Sequence, residues 1–412
     1  MKNNFLQEMQ DRGFLNQCSN INKLEEICNQ KSISGYIGFD CTASSLHVGS
    51  LLQIMILKLM QKHGHRPIVL LGGGTTLIGD PSGKDITRKI LHQSEIKNNI
   101  KSIKKVFSKI LDTSNKKVSP LFVDNANWLT KLNYIHFLRD VGSHFTINKM
   151  LTFDSVKLRL GREQSLSYME FNYMILQAYD FYQLFKKNNC ILQVGGSDQW
   201  GNIINGVDLI RRKLQKEAYG LTSPLITLAS GAKMGKTEKG AIWLNEDKLS
   251  SYDYWQFWRN TDDRDVKKFL KYFTEIEPNY LNEIINKEKN INNLKILLAN
   301  EATKILHGET ASKKAENTAK ETFEGGGLGS GLPEIKVKSK EVEQGINILD
   351  FISKNKILFS KSEARRAISN KGLKIDGVII EDEKKVIELK DFKNNVFKLS
   401  YGKKKHYLVK II

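Results

Sequence analysis

Ser34-Gly35-Tyr36-Ile37-Gly38-Phe39-Asp40-Cys41-Thr42-Ala43-Ser44-Ser45-Leu46-His47-Val48-Gly49-Ser50 is the stretch around which the chain is organised. Residues 33–39 predict a strand, turn and N-cap residues follow, and residues 46–60 have the apolar spacing of a helix. A strand, a polar turn and a helix N-terminus leave unpaired backbone N–H groups that favour an anion. Thr42 and His47 lie in this turn. The pattern fits a phosphate site, and it also fits an ordinary βα turn.

Further apolar runs predict the other strands of a sheet, and the second strand has the continuous apolar character of a parallel sheet. These runs cover residues 66–71, 118–123, 190–194 and 223–228. Residues 5–31 and 86–111 are predicted to be helical. Residues 128–162 are also helical, but they are rich in aromatic residues and leucine and interrupt the alternation of strands and helices. They therefore predict an insertion, of a kind that often packs on a second copy of the chain.

Polar residues near the strand ends and on one helix have two interpretations each. Asp80 suits a substrate ammonium or a cap on Pro81. Tyr173, Gln177 and Asp180 share a helix face, which fits a ligand or a structural hydrogen-bond network.

Two glycine-containing segments follow predicted strands. Residues 79–84 lack the spacing of a P-loop. Gly195-Gly196 followed by Asp198 fits a nucleotide ribose held by backbone and carboxylate. The segment 229–240, named here the signature loop, carries Lys233 and Lys236, which on pattern alone indicate a solvated charged face.

Composition limits the class of protein. The 412 residues are too many for one ordinary core, so two or three domains are expected. The net charge of +19 suits a polyanionic partner, although a composition bias towards lysine, asparagine and isoleucine explains it equally well. The 4 cysteines are scattered, which argues against a zinc ribbon or a disulfide framework. No signal core or membrane span is evident, so a soluble protein in a reducing compartment is expected.

The C-terminal third has a different pattern. Residues 250–323 predict a helical domain with aromatic anchors, and the glycine-rich segment 325–333 predicts a linker. A small domain follows, with predicted helices at 348–354 and 361–370 and a hairpin at Asp376-Gly377. A basic edge suited to an RNA backbone lies on its second helix and the following turn. It comprises Lys361, Arg365, Arg366, Lys371 and Lys374.

The motifs, taken in order, resemble those of a known family. His47-Val48-Gly49-Ser50 resembles the His-Ile-Gly-His signature of class I aminoacyl-tRNA synthetases, and Lys233-Met234-Gly235-Lys236-Thr237 resembles their Lys-Met-Ser-Lys-Ser signature. With residues 36–40, 79–84, 173–180 and 196–202, this set resembles the bacterial-type tyrosyl-tRNA synthetases over essentially the whole chain.

The resemblance implies an α/β fold with three parts. A Rossmann-type parallel-sheet catalytic domain is expected at 1–245, with a connective insertion at about 124–165. A helical anticodon-binding domain is expected at 246–324, a linker at 325–342 and a small α+β S4-like RNA-binding domain at 343–412.

The resemblance also implies the reaction and its residues. L-Tyrosine and MgATP give tyrosyl-adenylate and pyrophosphate, and the tyrosyl group then passes to the 3′-terminal ribose of tRNA(Tyr). Tyrosine is expected to contact Tyr36, Asp80, Tyr173, Gln177 and Asp180. ATP is expected to contact Gly38, Asp40, Thr42, His47, Ser50, Gly196, Asp198, Gln199, Lys233, Lys236 and Thr237. Thr42, His47, Lys233 and Lys236 are the expected catalytic residues, and Lys84 and Arg88 are further candidates at the pyrophosphate.

The remaining implications concern partners. Mg²⁺ is expected to arrive with ATP, and no structural metal is expected. The insertion is expected to form a homodimer in the cytoplasm, with no membrane association. Departures from the family pattern are Ser50 in place of the second signature histidine, and Ile37 and Cys41 in place of Cys and Pro.

Two alternatives to a tyrosine enzyme stay open. A tryptophanyl-tRNA synthetase shares this architecture, but Tyr36 with Asp180 favours a phenol over an indole N–H. A synthetase-derived RNA-binding or splicing factor would also carry the basic C-terminal domain, but the intact catalytic set argues against it.

Overall fold

The structure is a computed structural model that describes residues 4–80, 91–163, 165–231, 234–237, 240–323, 332–402 and 405–412, without the side chains of residues 154, 155, 158, 236, 237 and 323. The chain divides into two compact units. Unit 1 comprises Met1–Leu249 with Arg259–Leu306, and unit 2 comprises Ser250–Trp258 with His307–Ile412.

Helices dominate both units. In chain order they are α1 (Phe5–Asp11), α2 (Ile21–Gln30), α3 (Leu51–Lys62), α4 (Gln93–Ile110), α5 (Ala126–Leu129), α6 (Tyr134–Asp140), α7 (Ile147–Leu151), α8 (Asp154–Gly161), α9 (Tyr168–Asn188), α10 (Trp200–Leu214), α11 (Ser251–Arg259), α12 (Asp263–Phe273), α13 (Pro278–Lys287), α14 (Ile291–His307), α15 (Glu309–Phe323), α16 (Ser339–Glu343), α17 (Ile348–Lys354) and α18 (Lys361–Ser369). None of the helices in the described ranges is long and apolar enough to span a membrane.

The strands form one large sheet in unit 1 and smaller sheets elsewhere. They are β1 (Gln17–Cys18), β2 (Ser34–Phe39), β3 (Arg66–Leu71), β4 (Leu121–Asp124), β5 (Cys190–Gly196), β6 (Tyr219–Ser223), β7 (Lys236–Thr237), β8 (Gly240–Ala241), β9 (Glu334–Val337), β10 (Ile346–Asn347), β11 (Leu373–Ile375), β12 (Val378–Ile379), β13 (Val386–Ile387), β14 (Val396–Tyr401) and β15 (Lys405–Ile411).

The sheet of unit 1 confirms the predicted α/β architecture. Its strand order is β1-β6-β5-β2-β3-β4, and all neighbours are parallel except β1 and β6. The chain runs outward from β2 through β3 to β4, and then returns to the other side of β2 with β5. The order therefore reverses between β2 and β5, and ligands of open α/β sheets bind at the carboxyl ends of strands at such a point.

Proline explains two errors in the predicted strands. The predicted strand at 223–228 is wrong, because β6 ends at Ser223 and Pro224 follows it. The predicted strand at 118–123 begins late, at Leu121, directly after Pro120. Proline has no backbone N–H to donate to a ladder and is therefore tolerated mainly at strand starts, where Pro67 lies in β3.

Two predicted helical segments also differ from the structure. Residues 5–31 form two helices separated by Gly13, whose φ of +76° favours glycine, and by the short strand β1. The helix predicted at 46–60 begins only at Leu51, because a 3₁₀ turn occupies Val48–Ser50. This later start leaves His47 in an extended conformation at the mouth of the turn.

An ion-pair cluster ties the first helix to distant parts of unit 1. The buried carboxylate of Glu8 accepts hydrogen bonds from Arg12 and Lys62 and contacts His63 at 2.7–2.8 Å. The Arg12 guanidinium also donates to the carbonyl oxygens of Lys271, Thr274 and Ile276 at 2.8–3.1 Å. The Arg12 side chain therefore binds carbonyl oxygens at and just after the C-terminus of α12, where a helix leaves backbone acceptors unpaired.

Unit 2 confirms the helices and hairpin predicted near the C-terminus. Its five-stranded sheet has the order β12-β11-β14-β15-β9, and α17 and α18 pack on its apolar core. Asp376 and Gly377 join β11 to β12 with φ values of +46° and +87°, as a tight two-residue hairpin turn requires.

Candidate functional site

A cavity of about 490 Å³ opens at the carboxyl ends of β2 and β5. It is lined by every predicted site residue whose side chain is described, together with the predicted glycines. These are Tyr36, Gly38, Asp40, Thr42, His47, Ser50, Asp80, Tyr173, Gln177, Asp180, Gly196, Asp198 and Gln199. The fold thus brings together residues that are more than 150 positions apart in sequence.

The structure does not describe the side chains of the other predicted residues. Lys84, Arg88 and Lys233 lie outside the described residues. The backbone of Lys236 and Thr237 forms β7, which pairs with β8, but their side chains are not described.

One end of the cavity contains a buried carboxylate with two donors. Asp180 is 2% exposed, and its oxygens accept hydrogen bonds from Trp128 Nε1 at 2.7 Å and Asn125 Nδ2 at 2.8 Å. Burial raises the pKa of Asp180 to about 7, although both hydrogen bonds act to lower it. The carboxyl group is therefore held in a fixed orientation and changes charge near neutral pH.

The hydroxyl group of Tyr36 lies at the same end of the cavity. Tyr36 is buried on β2 with its ring centroid 5.3 Å from that of Phe181, and its hydroxyl has no hydrogen-bond partner among the residues that the structure describes. Burial, with the nearby charge of Asp180, raises its pKa well above the ordinary value, so the group is a neutral donor. A buried hydroxyl without a partner is unfavourable, and a ligand that accepts or donates a hydrogen bond there relieves that cost.

The helix α9 presents the three polar residues that the sequence predicted on one face. A capping box between Ser167 and Glu170 begins the helix, and Tyr173, Gln177 and Asp180 then follow at the spacing of one face. The buried Tyr173 has its pKa raised by burial and by the charges of Asp40 and Asp80, while a hydrogen bond with Thr75 lowers it.

An amide network occupies the middle of the cavity. Gln199 Nε2 donates to Asp80 Oδ2 at 3.0 Å, and Asn202 Nδ2 donates to Gln177 Oε1 at 3.0 Å and to Gln199 Oε1 at 3.2 Å. The predicted alternative for Asp80, a cap on Pro81, falls on a residue outside the described ranges. Carboxylates and amide oxygens in one wall suit a ligand with a positively charged amino group.

The other end of the cavity is formed by the turn after β2. His47 Nδ1 accepts a hydrogen bond from Gly49 N at 3.0 Å. Two backbone hydrogen bonds, Val48 N to Ile242 O at 2.8 Å and Leu244 N to Leu46 O at 2.9 Å, pair this turn with the segment after the signature loop. The signature loop therefore leads into a segment that hydrogen-bonds directly to the turn containing His47, named here the histidine turn.

Glycines allow the signature loop to approach this turn. A Cβ atom on Gly49 would lie 2.7 Å from Met234 O, and one on Gly235 would lie 2.6 Å from His47 Nδ1. Gly235 also has a φ of +94°, which other residues rarely adopt. By contrast, a Cβ atom on Gly38 would meet nothing within 4 Å, so packing does not require glycine there and the position leaves room for a ligand.

Sequence reasoning missed the residues that hold Asp180. Asn125 and Trp128 follow directly after β4, and the sequence analysis placed Trp128 among the apolar residues of the insertion. Asn125 also accepts a hydrogen bond from Gly74 N at 2.8 Å and donates to Thr75 Oγ1 at 3.0 Å. Its position at the carboxyl end of a parallel strand was the signal that would have identified it.

No group of three or more His, Cys, Asp or Glu side chains is arranged to hold a metal ion within the described parts of the chain.

The cavity offers hydrogen-bond acceptors at one end, the histidine turn at the other and a carboxylate, Asp198, directly after β5. It therefore suits an elongated ligand with an amino group and a phosphate group.

Comparison with protein families gives two matches that together cover most of the chain. The model for tRNA synthetases class I (W and Y) matches residues 28–324. The model for the tyrosine–tRNA ligase SYY-like C-terminal domain matches residues 327–409.

Curated relatives match over their full length. Tyrosine–tRNA ligase of Pelagibacter ubique is 61% identical over 410 residues, with 100% of both chains covered. Tyrosine–tRNA ligase of Rickettsia prowazekii is 51% identical, with 99% of this chain and 100% of that protein covered.

Solved structures share the fold. A C-terminally truncated mitochondrial tyrosyl-tRNA synthetase of Aspergillus nidulans matches with a TM-score of 0.69 and 29% identity, covering 77% of this chain and 94% of that chain. The Archaeoglobus fulgidus tyrosyl-tRNA synthetase complexed with L-tyrosine matches with a TM-score of 0.56 at 16% identity, over 76% of this chain and 99% of that chain, which shows similarity of fold alone.

Proposed function

Because this chain belongs to the tyrosine–tRNA ligases, class I synthetases that join tyrosine to tRNA with ATP as a substrate, we propose that the cavity of unit 1 is the active site of that reaction. The supporting observation is the convergence of all the described site residues on one cavity at the reversal point of the sheet. The prediction of a tyrosine enzyme rather than a tryptophan enzyme is confirmed by the full-length relatives.

The proposed tyrosine site lies between β2 and α9. The phenol hydroxyl of the substrate meets the Tyr36 hydroxyl and the Asp180 carboxylate, which Asn125 and Trp128 hold in place. The substrate ammonium meets Asp80, Tyr173 and Gln177. Phenylalanine would leave the buried polar groups unpaired, so this arrangement selects for the hydroxyl.

The proposed ATP site lies across the carboxyl ends of β2 and β5. Asp198 and the backbone of Gly196 hold the ribose, and Gly38 and Asp40 lie beside the nucleotide, with Gln199 next to them. Thr42, His47 and Ser50 face the phosphates at the start of α3. Lys233, Lys236 and Thr237 of the signature loop supply charge at the pyrophosphate.

The proposed first step needs no enzyme nucleophile. A carboxylate oxygen of tyrosine attacks the α-phosphorus, a new C–O–P linkage forms, and the bond from the α-phosphorus to the bridging oxygen breaks as pyrophosphate leaves. Negative charge grows on the leaving group, so lysines and a histidine turn that contact it stabilise the transition state more than the ground state. Mg²⁺ is proposed to enter with ATP, where it would neutralise phosphate charge.

The proposed quaternary structure is a homodimer through the insertion. Large apolar side chains are exposed on α6 to α9, namely Tyr134, Ile135, Leu138, Ile147, Leu151, Leu160, Tyr168 and Met169. Exposed apolar side chains that cluster on neighbouring helices are typical of a protein interface.

The proposed domain assignment and location follow the family. Residues 1–245 are assigned to catalysis, 246–324 to anticodon binding, 325–342 to a linker and 343–412 to an S4-like RNA-binding domain. The second half of this linker includes β9, which pairs with β15 and so belongs to the sheet of unit 2. The two family matches, which meet near residue 325, support a division there. A cytoplasmic location is proposed because the relatives are bacterial tRNA ligases.

The test of the proposed site is ATP–pyrophosphate exchange with a panel of amino acids. Exchange should depend on tyrosine, and Lys236→Ala should lower its rate by orders of magnitude while the tyrosine Kd and the melting temperature stay unchanged. Faster exchange with tryptophan, or normal exchange by the variant, would contradict the assignment. Tyrosine-independent RNA binding without exchange would favour the splicing-factor alternative.

A further inference from the structure

Phe359 is an exposed aromatic residue in the basic region of unit 2. Its side chain is 72% exposed, the highest value among the large apolar side chains in the described ranges. It lies directly before α18, between the buried Leu358 and the N-cap residue Ser360. The packing of unit 2 therefore does not use this ring.

The backbone of Phe359 is nevertheless fixed. Phe359 N donates a hydrogen bond to Glu363 Oε2 at 3.0 Å, and Glu363 N donates to Ser360 Oγ at 3.2 Å. An apolar residue just before an N-cap commonly packs on the fourth residue of its own helix, which here is Ala364. Ala364 is fully buried, while the Phe359 ring remains in solvent. The helix start thus presents the ring outward from a rigid base.

Positive charge flanks the ring on both sides. Lys356 precedes it in the turn after α17, and Lys361 follows it, paired with Asp350. Arg366 is exposed and makes no ion pair with the described residues. Arg366 lies in the second turn of α18, the helix that begins just after Phe359 and its N-cap neighbour Ser360.

We infer that Phe359 stacks on an unpaired base of the bound tRNA, while Arg366 contacts a phosphate beside it. This inference rests on the proposed RNA-binding role of the C-terminal domain. RNA-binding proteins recognise unpaired bases by stacking them on exposed aromatic rings, and the ring lies within a basic edge that suits a polyanion. A second protein would be less well matched to this surface, because Lys356 and Arg366 would need acidic partners.

The experiment compares variants by their affinity for a tRNA(Tyr) transcript over a range of salt concentrations. Phe359→Ala should raise the Kd about tenfold, the effect that loss of one stacked base produces, and should leave the salt slope unchanged. Phe359→Tyr and Phe359→Trp should bind like the parent, whereas Phe359→Leu should bind like the alanine variant. Arg366→Ala should reduce the salt slope by about one phosphate contact.

Two controls isolate the stacking contact. Val378→Ala removes another exposed apolar side chain of unit 2 and should have no effect on the Kd. A blunt RNA duplex offers no unpaired base, so the parent and Phe359→Ala should bind it equally. Melting temperatures and active-site titration of each variant exclude misfolding as the cause.

The outcomes separate this inference from the function on which it rests. An unchanged Kd for Phe359→Ala with a weakened Arg366→Ala would overturn the stacking contact and leave the RNA-binding role intact. A Kd that none of the variants changes would contradict the RNA-binding role of this edge itself. Full activity in Phe359→Leu, or a change of oligomeric state in Phe359→Ala, would assign the ring to apolar contact with protein instead.

Discussion

At the scale of single residues, the cavity holds polar groups that oppose stability. The Tyr36 hydroxyl is buried without a hydrogen-bond partner in the described part of the chain, and Asp180 is a carboxyl group whose charged form is disfavoured by burial. Removing either group should therefore affect stability and substrate selection in opposite directions. A conflict between stability and substrate selection is expected at polar groups whose hydrogen-bond partners are supplied by the ligand.

We predict that Tyr36→Phe makes the protein more stable and less selective. Loss of the unpaired hydroxyl should raise the free energy of unfolding by about 1 kcal/mol. Loss of the contact to the substrate phenol should lower discrimination between tyrosine and phenylalanine by about 2- to 13-fold, as for one neutral hydrogen bond. Denaturant unfolding and exchange kinetics with both amino acids measure the two effects, and a destabilised variant with unchanged selectivity would contradict the prediction.

We predict that the stability effect of Asp180→Asn depends on pH. The pKa of Asp180 is about 7 in the folded chain, against an ordinary value of 3.8, so folding takes up a proton between these values. Stability contributed by this group is therefore lost as pH rises from about 4 to about 7, up to about 4 kcal/mol.

The asparagine variant has no such proton to lose. Relative to the parent, its free energy of unfolding should increase by a few kcal/mol between pH 5 and pH 8.5, and tyrosine binding should be weak at both values. The difference between the two pH values isolates the charge from any mismatch of the amide with Asn125. An equal effect at both values would show that Asp180 titrates normally.

At the scale of elements, the approach of the signature loop to the histidine turn depends on backbone geometry. Gly235 combines a positive φ with a distance to His47 that leaves no space for a Cβ atom. Gly231, in the same loop, has a φ of +82° but open space around it. Substitutions at the two glycines therefore distinguish the effect of backbone strain from the effect of lost space at the contact with His47.

We predict that Gly235→Ala lowers the rate of tyrosyl-adenylate formation at least tenfold with little change in the tyrosine Kd, because His47 and Gly235 cannot keep their present contact. Gly231→Ala carries similar backbone strain without the clash and should lower the rate much less. Single-turnover kinetics and equilibrium dialysis measure the two quantities. Similar rates in the two variants would show that close contact is not required.

The elements also show how far the sequence predicts this fold. The apolar runs that became β2, β3 and β5 were predictable because central parallel strands are buried on both faces. The ends of β4 and β6 were misplaced because the apolar pattern continues through Pro120 and Pro224, which have no backbone N–H to donate to a neighbouring strand. Asn125 was missed because its role depends on α9, which lies 40 or more residues later in the chain and meets β4 only in the folded protein.

At the scale of the whole molecule, the exposed apolar face of the insertion supports the proposed homodimer. We predict that Ile135→Asp, at a residue 69% exposed on α6, converts a dimer into a monomer without lowering the monomer's melting temperature. Tyr280→Asp, at a residue 60% exposed on α13, provides a matched control that should remain dimeric. Light scattering after gel filtration measures the mass, and a dimeric Ile135→Asp would exclude this face as the main interface.

The contacts of Arg12 have a consequence for biosynthesis. Its three carbonyl partners lie 259–264 residues further along the chain. At a translation rate of about 5–20 residues per second, roughly 13–50 s pass between the synthesis of Arg12 and the synthesis of its three carbonyl partners. During that interval Glu8 and Lys62 are available to the nascent chain, so the amino-terminal helix can dock early while its last partners are still being synthesised.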